Sequence, residues 1–276
     1  MSLGNLLQRL TGAKDEAAVA HAFPHVDLFY WKPSSNRHNF GDHLSRVIVT
    51  KMLADRQYLL DEETPQSRTL LAIGSILHFA HDGNVVWGSG VNGKIAAEAH
   101  RFNTLDVRAV RGPLTQAFLQ ERGIEVPSVF GDPALLTPTL FPNRFVVDTQ
   151  HRYVVVPNLH DLHIVQQLNL AHVVSPLATW NRCIADILKG ELVIASSLHG
   201  LILAEAYGLP ARYLRLSEEE NLFKYNDYVM GTGRGEIEAA RSVDEALEMG
   251  GMSPPQFDPH RLMDAFPYDL WDGWGR

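Results

Sequence analysis

The stretch A-S-S-L-H-G-L-I-L-A-E-A-Y-G-L-P, residues 195–210, decides the fold. The apolar run that leads into it, Leu192 to Ala195, reads as a buried parallel strand. Ser196 and Ser197 are capping residues. Leu201 to Tyr207 reads as an amphipathic helix, and Gly208 followed by Pro210 ends it. Strand, turn and helix together set His199 in the first turn, just outside the carboxyl end of a strand. Free backbone N–H groups and the positive end of the helix dipole face the same space, which favours an anion, most often a phosphate. A packed strand–helix joint with a capping serine and a hydrogen-bonded histidine would use the same residues structurally.

The same unit recurs on both sides of this stretch. Toward the N-terminus, V-D-L-F-Y-W at 26–31 reads as a strand, K-P-S-S-N-R-H-N-F-G-D at 32–42 as a polar loop, and 44–53 as a helix. Residues 69–74 and 85–90 read as further strands, and 105–113 as a strand and a tight joint, with a helix over 114–121 closed by Gly123. Pro138, Pro142 and Asn143 mark 137–150 as a linker. The pattern restarts at Y-V-V-V-P, 153–157, with strands at 172–176, 192–195 and 212–216. Short apolar strands alternating with helices predict parallel α/β sheets. The expected division is an N-terminal Rossmann-like domain, 1–140, a C-terminal one, 141–256, that carries the S-S-L-H-G turn, and a tail, 257–276. The tail's large aromatics need a surface, and the first domain offers one. A single continuous sheet is the competing architecture.

The 276 residues suffice for one large α/β unit or two of roughly 130 residues each. A formal net charge of −8, with no basic block, argues against a nucleic-acid or anionic-membrane binder. The one cysteine, Cys183, lies in a helical pattern and reads as a small packing residue, so no intrachain disulfide is expected. The first ten residues lack the apolar core of a secretory signal, and no run reaches the roughly 18 apolar residues of a membrane span. A cytoplasmic location is expected. The first fifteen residues read as a small amphipathic helix.

Active sites of open α/β sheets lie outside the carboxyl ends of the strands. Four more joints there carry chemistry. In N-F-G-D, Asn39 to Asp42, Asp42 reads as a helix cap or a cleft-facing acid, with Asn39 and Gly41 beside it. In G-S-G-V-N-G, Gly88, Ser89 and Gly90 would let backbone approach a ligand; the spacing is neither the dinucleotide fingerprint nor a P-loop. In V-R-G-P, Arg111 stands at a strand end before a proline-started helix, and its planar fork suits a carboxylate or phosphate. In G-D-P, Asp132 reads as a cap or a cleft acid. H-D-L-H, His160 to His163, has no third ligand of metal-site spacing, so no metal is expected.

The ordered set N-F-G-D, G-S-G, V-R-G-P-L-T, G-D-P-A-L-L and S-S-L-H-G-L-I-L-A-E-A-Y-G-L-P-A resembles the polysaccharide pyruvyltransferase family over roughly residues 27–232. It is most similar to the short bacterial enzymes of exopolysaccharide assembly, of xanthan and succinoglycan type. Phe223 to Gly233, F-K-Y-N-D-Y-V-M-G-T-G, resembles the family's closing segment. The resemblance implies two Rossmann-like domains facing a cleft, as in the glycosyltransferase-B arrangement. It implies transfer of a pyruvyl group from phosphoenolpyruvate to two hydroxyls of a sugar, with release of phosphate. It also implies contact of His199 and Arg111 with the donor. Some relatives, notably fungal ones, carry arginine where this chain has Ser197. The second cation would then come from Lys224, Arg215, or helix N–H groups with the Ser196 and Ser197 hydroxyls, beside Leu198 and Gly200.

On this reading His199, Asp42 and Asp132 are the proton-transferring groups. Phosphoenolpyruvate is the donor and no cofactor is needed. The acceptor implied is a lipid-linked oligosaccharide at the inner face of the inner membrane, reached by peripheral association at most. Two alternatives stay open: a sugar-nucleotide glycosyltransferase of the same architecture, and a non-catalytic sugar- or phosphate-binding component of an export complex.

Overall fold

The computed structural model describes residues 23–33, 39–218 and 220–273. The helix expected in the first fifteen residues lies outside them. Two parallel sheets of four strands form the frame. The first is β1 (Val26–Phe29), β2 (Arg68–Leu71), β3 (Asn84–Trp87) and β4 (Leu105–Ala109), in that spatial order. The second is β5 (Val154–Val156), β6 (Val193–Ala195), β7 (Ala211–Leu214) and β8 (Ala239–Ala240), likewise in chain order. Every pairing is parallel. Parallel strands need covered faces, which is why they read as apolar runs and not as alternations.

The helices between them are α1 (Phe40–Asp55), α2 (Pro113–Gln120) and α3 (Thr137–Leu140), then α4 (Leu162–Gln167), α5 (Trp180–Ile187) and α6 (Leu198–Ala206). After them come α7 (Phe223–Gly231), α8 (Val243–Met249) and α9 (Pro259–Asp264). Two helix starts differ from the sequence reading. α1 begins at Phe40, so Asn39 and not Asp42 is its cap residue, and Asp42 falls in the first turn. α3 occupies the start of the expected linker, because Pro138 sits in a helix's first turn, where its missing N–H costs nothing.

α6 is not amphipathic. Leu198 and every residue from Gly200 to Glu205 are buried. A helix apolar all round is one packed on all sides, and α6 lies between the second sheet and a short 3-10 turn at Pro133–Leu136. One continuous apolar cluster joins Val26, Leu28, Leu70, Val85 and Trp87 of the first sheet to Val154, Val156, Val193, Ala195 and Tyr213 of the second. Separate clusters cover the outer faces. The two sheets thus share a core through their inner faces, with α1, α5 and α6 inside it. Cys183 is buried in α5.

The chain after Gln256 returns to the first sheet. Trp87 Nε1 donates to the Leu262 carbonyl at 2.9 Å, and Tyr268 Oη donates to the Met52 carbonyl at 3.1 Å. Arg108 grips Asp269 with two N–H groups, and Tyr58 bonds Asp272.

One topological detail positions the site. Val173 bridges β5 on the side away from β6. Strand order in the second half therefore reverses at β5. The crevice between the carboxyl ends of β5 and β6 is a switch point, where open parallel sheets bind ligands.

Candidate functional site

A cleft of about 460 Å³ opens at that switch point, between the two halves. From the second half come Asn158, Leu159 and His160 after β5, with Ser197, Leu198 and His199 after β6. Asn158 is fixed by its N–H, which donates to Ser196 Oγ at 3.1 Å, and by its side chain on Asp161. From the first half come Asn39 and Asp42 of the α1 start, Ser75, Ile76, His78 and Phe79 after β2, and Asn92, Lys94 and Ile95 after β3.

The α6 start is built as its sequence indicates. Ser197 is the N-cap, its Oγ accepting from the Gly200 N–H at 3.2 Å. Gly200 has no room for a Cβ against Val156 and Ala195, so its identity seats α6 directly on β5 and β6. The N–H groups of Leu198 and His199, at the first two helical positions, have no intrahelical acceptor.

His199 is held between two elements of the first half. Its ring lies against Gly41, where any Cβ would overlap the imidazole. Its Nε2 is 3.6 Å from Asp132 Oδ2, and neither atom has a hydrogen-bond partner in the protein. Asp132 is 1 % exposed. Its other oxygen accepts from the Ala134 N–H at 2.9 Å and caps the 3-10 turn. Asp42 accepts from Asn39 Nδ2 at 2.7 Å. It keeps some contact with solvent in the cleft, but the protein crowding its carboxyl pushes its pKa up to about 6. Attraction from His199 and the Asn39 hydrogen bond oppose that rise and do not cancel it. Asp42, Asp132 and His199, named from three separate joints, thus stand in one cluster.

The glycine joints serve another purpose than the expected one. A Cβ on Gly88 would overlap Pro133, and one on Gly90 would overlap the Arg111 guanidinium. These glycines make room for the protein's own side chains, and none of residues 88–90 lines the cleft. Ser89 is buried, its Oγ donating to the Gly74 carbonyl at 2.9 Å. Ser196 is buried as well and serves the frame: its hydroxyl takes the Asn158 N–H, and its carbonyl accepts from Tyr225 Oη at 2.6 Å.

Arg111 departs furthest from expectation. It is 0 % exposed and does not face the cleft. Nε donates to Asp227 Oδ2 at 3.0 Å, Nη1 to Ser75 Oγ at 2.7 Å and Nη2 to the Val91 carbonyl at 2.6 Å. Asp227, on α7, also accepts from the N–H and hydroxyl of Thr115 on α2. The fork that suits a free carboxylate is occupied by one from the other half. Around it α2 and α7 meet closely: a Cβ on Gly112 would overlap the Asp227 backbone, and one on Gly231 the Arg111 carbonyl.

A family model for polysaccharide pyruvyl transferase matches residues 39–218, which include every one of these joints. The chain belongs to that family. Succinoglycan biosynthesis protein ExoV of Rhizobium meliloti (strain 1021) is 27% identical over 215 residues, covering 74% of this chain and 64% of that protein. The chain thus spans less than two thirds of that relative's length. A solved structure of an uncharacterized protein from Klebsiella pneumoniae subsp. pneumoniae NTUH-K2044 aligns with 80% of this chain and 94% of that one, at 14% identity and a TM-score of 0.45.

The cleft holds Lys224, one of the second-cation candidates, and it brings up Lys94, Glu220 and His78, which sequence reading did not single out. Lys94, from the loop after β3, reaches Glu220 Oε2 at 2.6 Å, and Lys224 of α7 lies 2.8 Å from Oε1 of the same carboxylate. Burial lowers the Lys224 pKa despite the pull of Glu220. Burial works against the Glu220 charge too, but the two lysines outweigh it and hold its pKa below the usual value. His78 lies against Phe79 with ring centroids 4.0 Å apart, and burial, then repulsion by His100, lowers its pKa to about 4. It is neutral at pH 7. Arg215, a candidate second cation, pairs with Glu218 at 3.1 Å and does not line the cleft. Of the H-D-L-H motif, His160 lines the cleft, while His163 Nδ1 is 2.8 Å from the His160 carbonyl. Among the described residues no three His, Cys, Asp or Glu side chains come together as a metal site, and no helix is long and apolar enough to cross a membrane.

Proposed function

We propose that this cleft transfers a pyruvyl group from phosphoenolpyruvate to two hydroxyls of a sugar, forming a cyclic ketal and releasing phosphate. The observation that carries the reading is the cluster of Asp42, His199 and Asp132 at the foot of α6, beside two lysines. It combines a carboxyl with a raised pKa, an imidazole facing a buried carboxylate, and anion-binding groups in one cleft.

The proton balance of the reaction suits such a cluster. Two sugar hydroxyls each lose a proton as they attack the former enol carbon. One proton goes to the methylene carbon, which becomes a methyl group. The other leaves with phosphate. No external acid, base or redox partner is consumed. Asp42, with a pKa of about 6, is suited to deliver the carbon proton, since a general acid works best near the operating pH. His199 takes the hydroxyl proton, and Asp132 at 3.6 Å stabilises the imidazolium that results. The phosphate lies toward the Leu198 and His199 N–H groups at the α6 start. Asn39 and Asn158 are placed to bind hydroxyls. Trp31, His78, Phe79 and Ile95 form an apolar rim on the first-half side, suited to the C–H face of a sugar ring.

The acceptor we assign is a sugar presented on a lipid-linked oligosaccharide, with the protein acting at the cytoplasmic membrane face. Incubation with phosphoenolpyruvate and a panel of glycosides tests the reading. Phosphate release and a product heavier by pyruvate less one water are expected. Phosphate release that requires a nucleotide sugar instead would overturn it.

A further inference from the structure

The expected guanidinium is locked away with Asp227, so the cations that face the cleft must be found elsewhere. Among the described residues lining it, Lys94 and Lys224 are the only lysines, and no arginine lines it. They come from opposite halves and converge on the two oxygens of one carboxylate. Lys94 makes a well-directed hydrogen bond to Glu220, whereas Lys224 is an ion pair at 2.8 Å that leaves Oε1 without a directed bond. Its ammonium therefore has donors to spare. Glu220 itself is 9 % exposed and sits behind the lysines, outside the cleft lining.

The charge balance demands such a pair. Asp42 and Asp132 place carboxyls beside His199, and a donor that carries both phosphate and carboxylate would be repelled without cations opposite. Two ammonium groups held by a single carboxylate leave one positive charge in excess. Each ammonium has three rotatable donors, which suits the several oxygens of a phosphate.

We propose that Lys94 and Lys224 form a two-ammonium clamp for the donor's phosphate, with Glu220 as the positioning carboxylate that holds the two at a set spacing. The donor's identity rests on the pyruvyl-transfer reading; the clamp itself requires only a phosphorylated ligand. One lysine from each half means that the donor bridges the two sheets, as Glu220 and Arg111 already do.

Calorimetric titration of phosphoenolpyruvate into the parent chain, K94M, K224M and E220Q tests this at low ionic strength, where charge attraction is least screened. Each lysine loss should weaken binding about tenfold or more, the scale of a hydrogen bond to a charged group. In turnover assays the KM for the donor should rise while kcat changes much less. E220Q should bind more weakly, because the two ammonium groups lose the carboxylate that sets their spacing. K94M alters an exposed side chain and carries the test even where K224M folds poorly. Unchanged affinity in K94M, or in a folded K224M, overturns the clamp; unchanged or tighter affinity in E220Q overturns the role of Glu220. A parent chain that binds a nucleoside diphosphate sugar but not phosphoenolpyruvate, and loses it in K94M, overturns pyruvyl transfer while leaving the clamp standing. A parent that binds neither overturns both.

Discussion

Replacing Asp42 by asparagine isolates the strain stored at the α1 start. The carboxyl ordinarily titrates at 3.8, and in the folded chain its pKa is pushed up to about 6, first by burial. The direction sets the sign. Below pH 3.8 the acid is neutral folded and unfolded, and it costs nothing. As pH rises through 6 the unfolded chain ionises freely while the folded chain ionises at a cost, so stability is lost across this window and stays lost above it. At about 1.4 kcal/mol for each pH unit, the full penalty is about 3 kcal/mol. That is an upper figure, since Asp42 keeps some solvent contact and a new amide must place its own N–H2 group. D42N should therefore melt higher than the parent at pH 8, by several degrees at about 2–4 °C per kcal/mol. At pH 4 the two should melt nearly together. Turnover should meanwhile fall about 10²-fold or more, with loss of the kinetic limb near pH 6. Thermal melts across pH 4–8 beside kcat profiles make the comparison. Equal destabilisation of D42N at every pH would show that no buried charge was relieved.

R111M should cost about 3–5 kcal/mol, because it leaves Asp227 buried and unpaired; urea unfolding reads it, and a parent-like midpoint would show that Arg111 does not join the halves. H199A should keep the parent melting temperature within a few degrees yet lose about 10²-fold or more in kcat, and near-normal turnover would remove the imidazole from the reaction. G41A drives a methyl into the His199 ring, so kcat should fall well below the parent's while donor binding by calorimetry persists. F79A should raise the KM for the sugar and leave donor binding unchanged, and equal effects on both substrates would argue against an acceptor rim.

The parallel frame was legible because each strand is a short apolar run and each run is followed by a polar or glycine-bearing joint. His199, Asp42 and Asp132 were legible for the same reason: the carboxyl-end rule places such joints on one side of a sheet. Periodicity failed at α6, whose near-complete burial depends on what surrounds it and not on its own pattern. The glycines misled because sequence shows that space is made, not what fills it. Gly90 admits Arg111 from the neighbouring strand end, and Gly41 admits His199 from a helix more than 150 positions away. Arg111 misled through Asp227, 116 positions later, whose pairing nothing local announces. Lys94 and Glu220 each resemble a solvated surface charge, and only the fold brings them within 2.6 Å.

The contact of α2 with α7 also governs how this molecule can move. Gly112 and Gly231 let the two backbones touch with no side chain between them, so there is no lubricating layer along which one sheet could slide or swing. Any rotation must first part a buried ion pair and open a seam in a shared apolar interior. With that seam closed, the cleft should behave as a fixed mould and not as a jaw. On the proposed function, an acceptor would have to be slender enough to enter between standing walls, which favours the tip of a glycan over the middle of a chain. Turnover in such a mould should respond to chemistry and to release of phosphate, and only weakly to solvent viscosity.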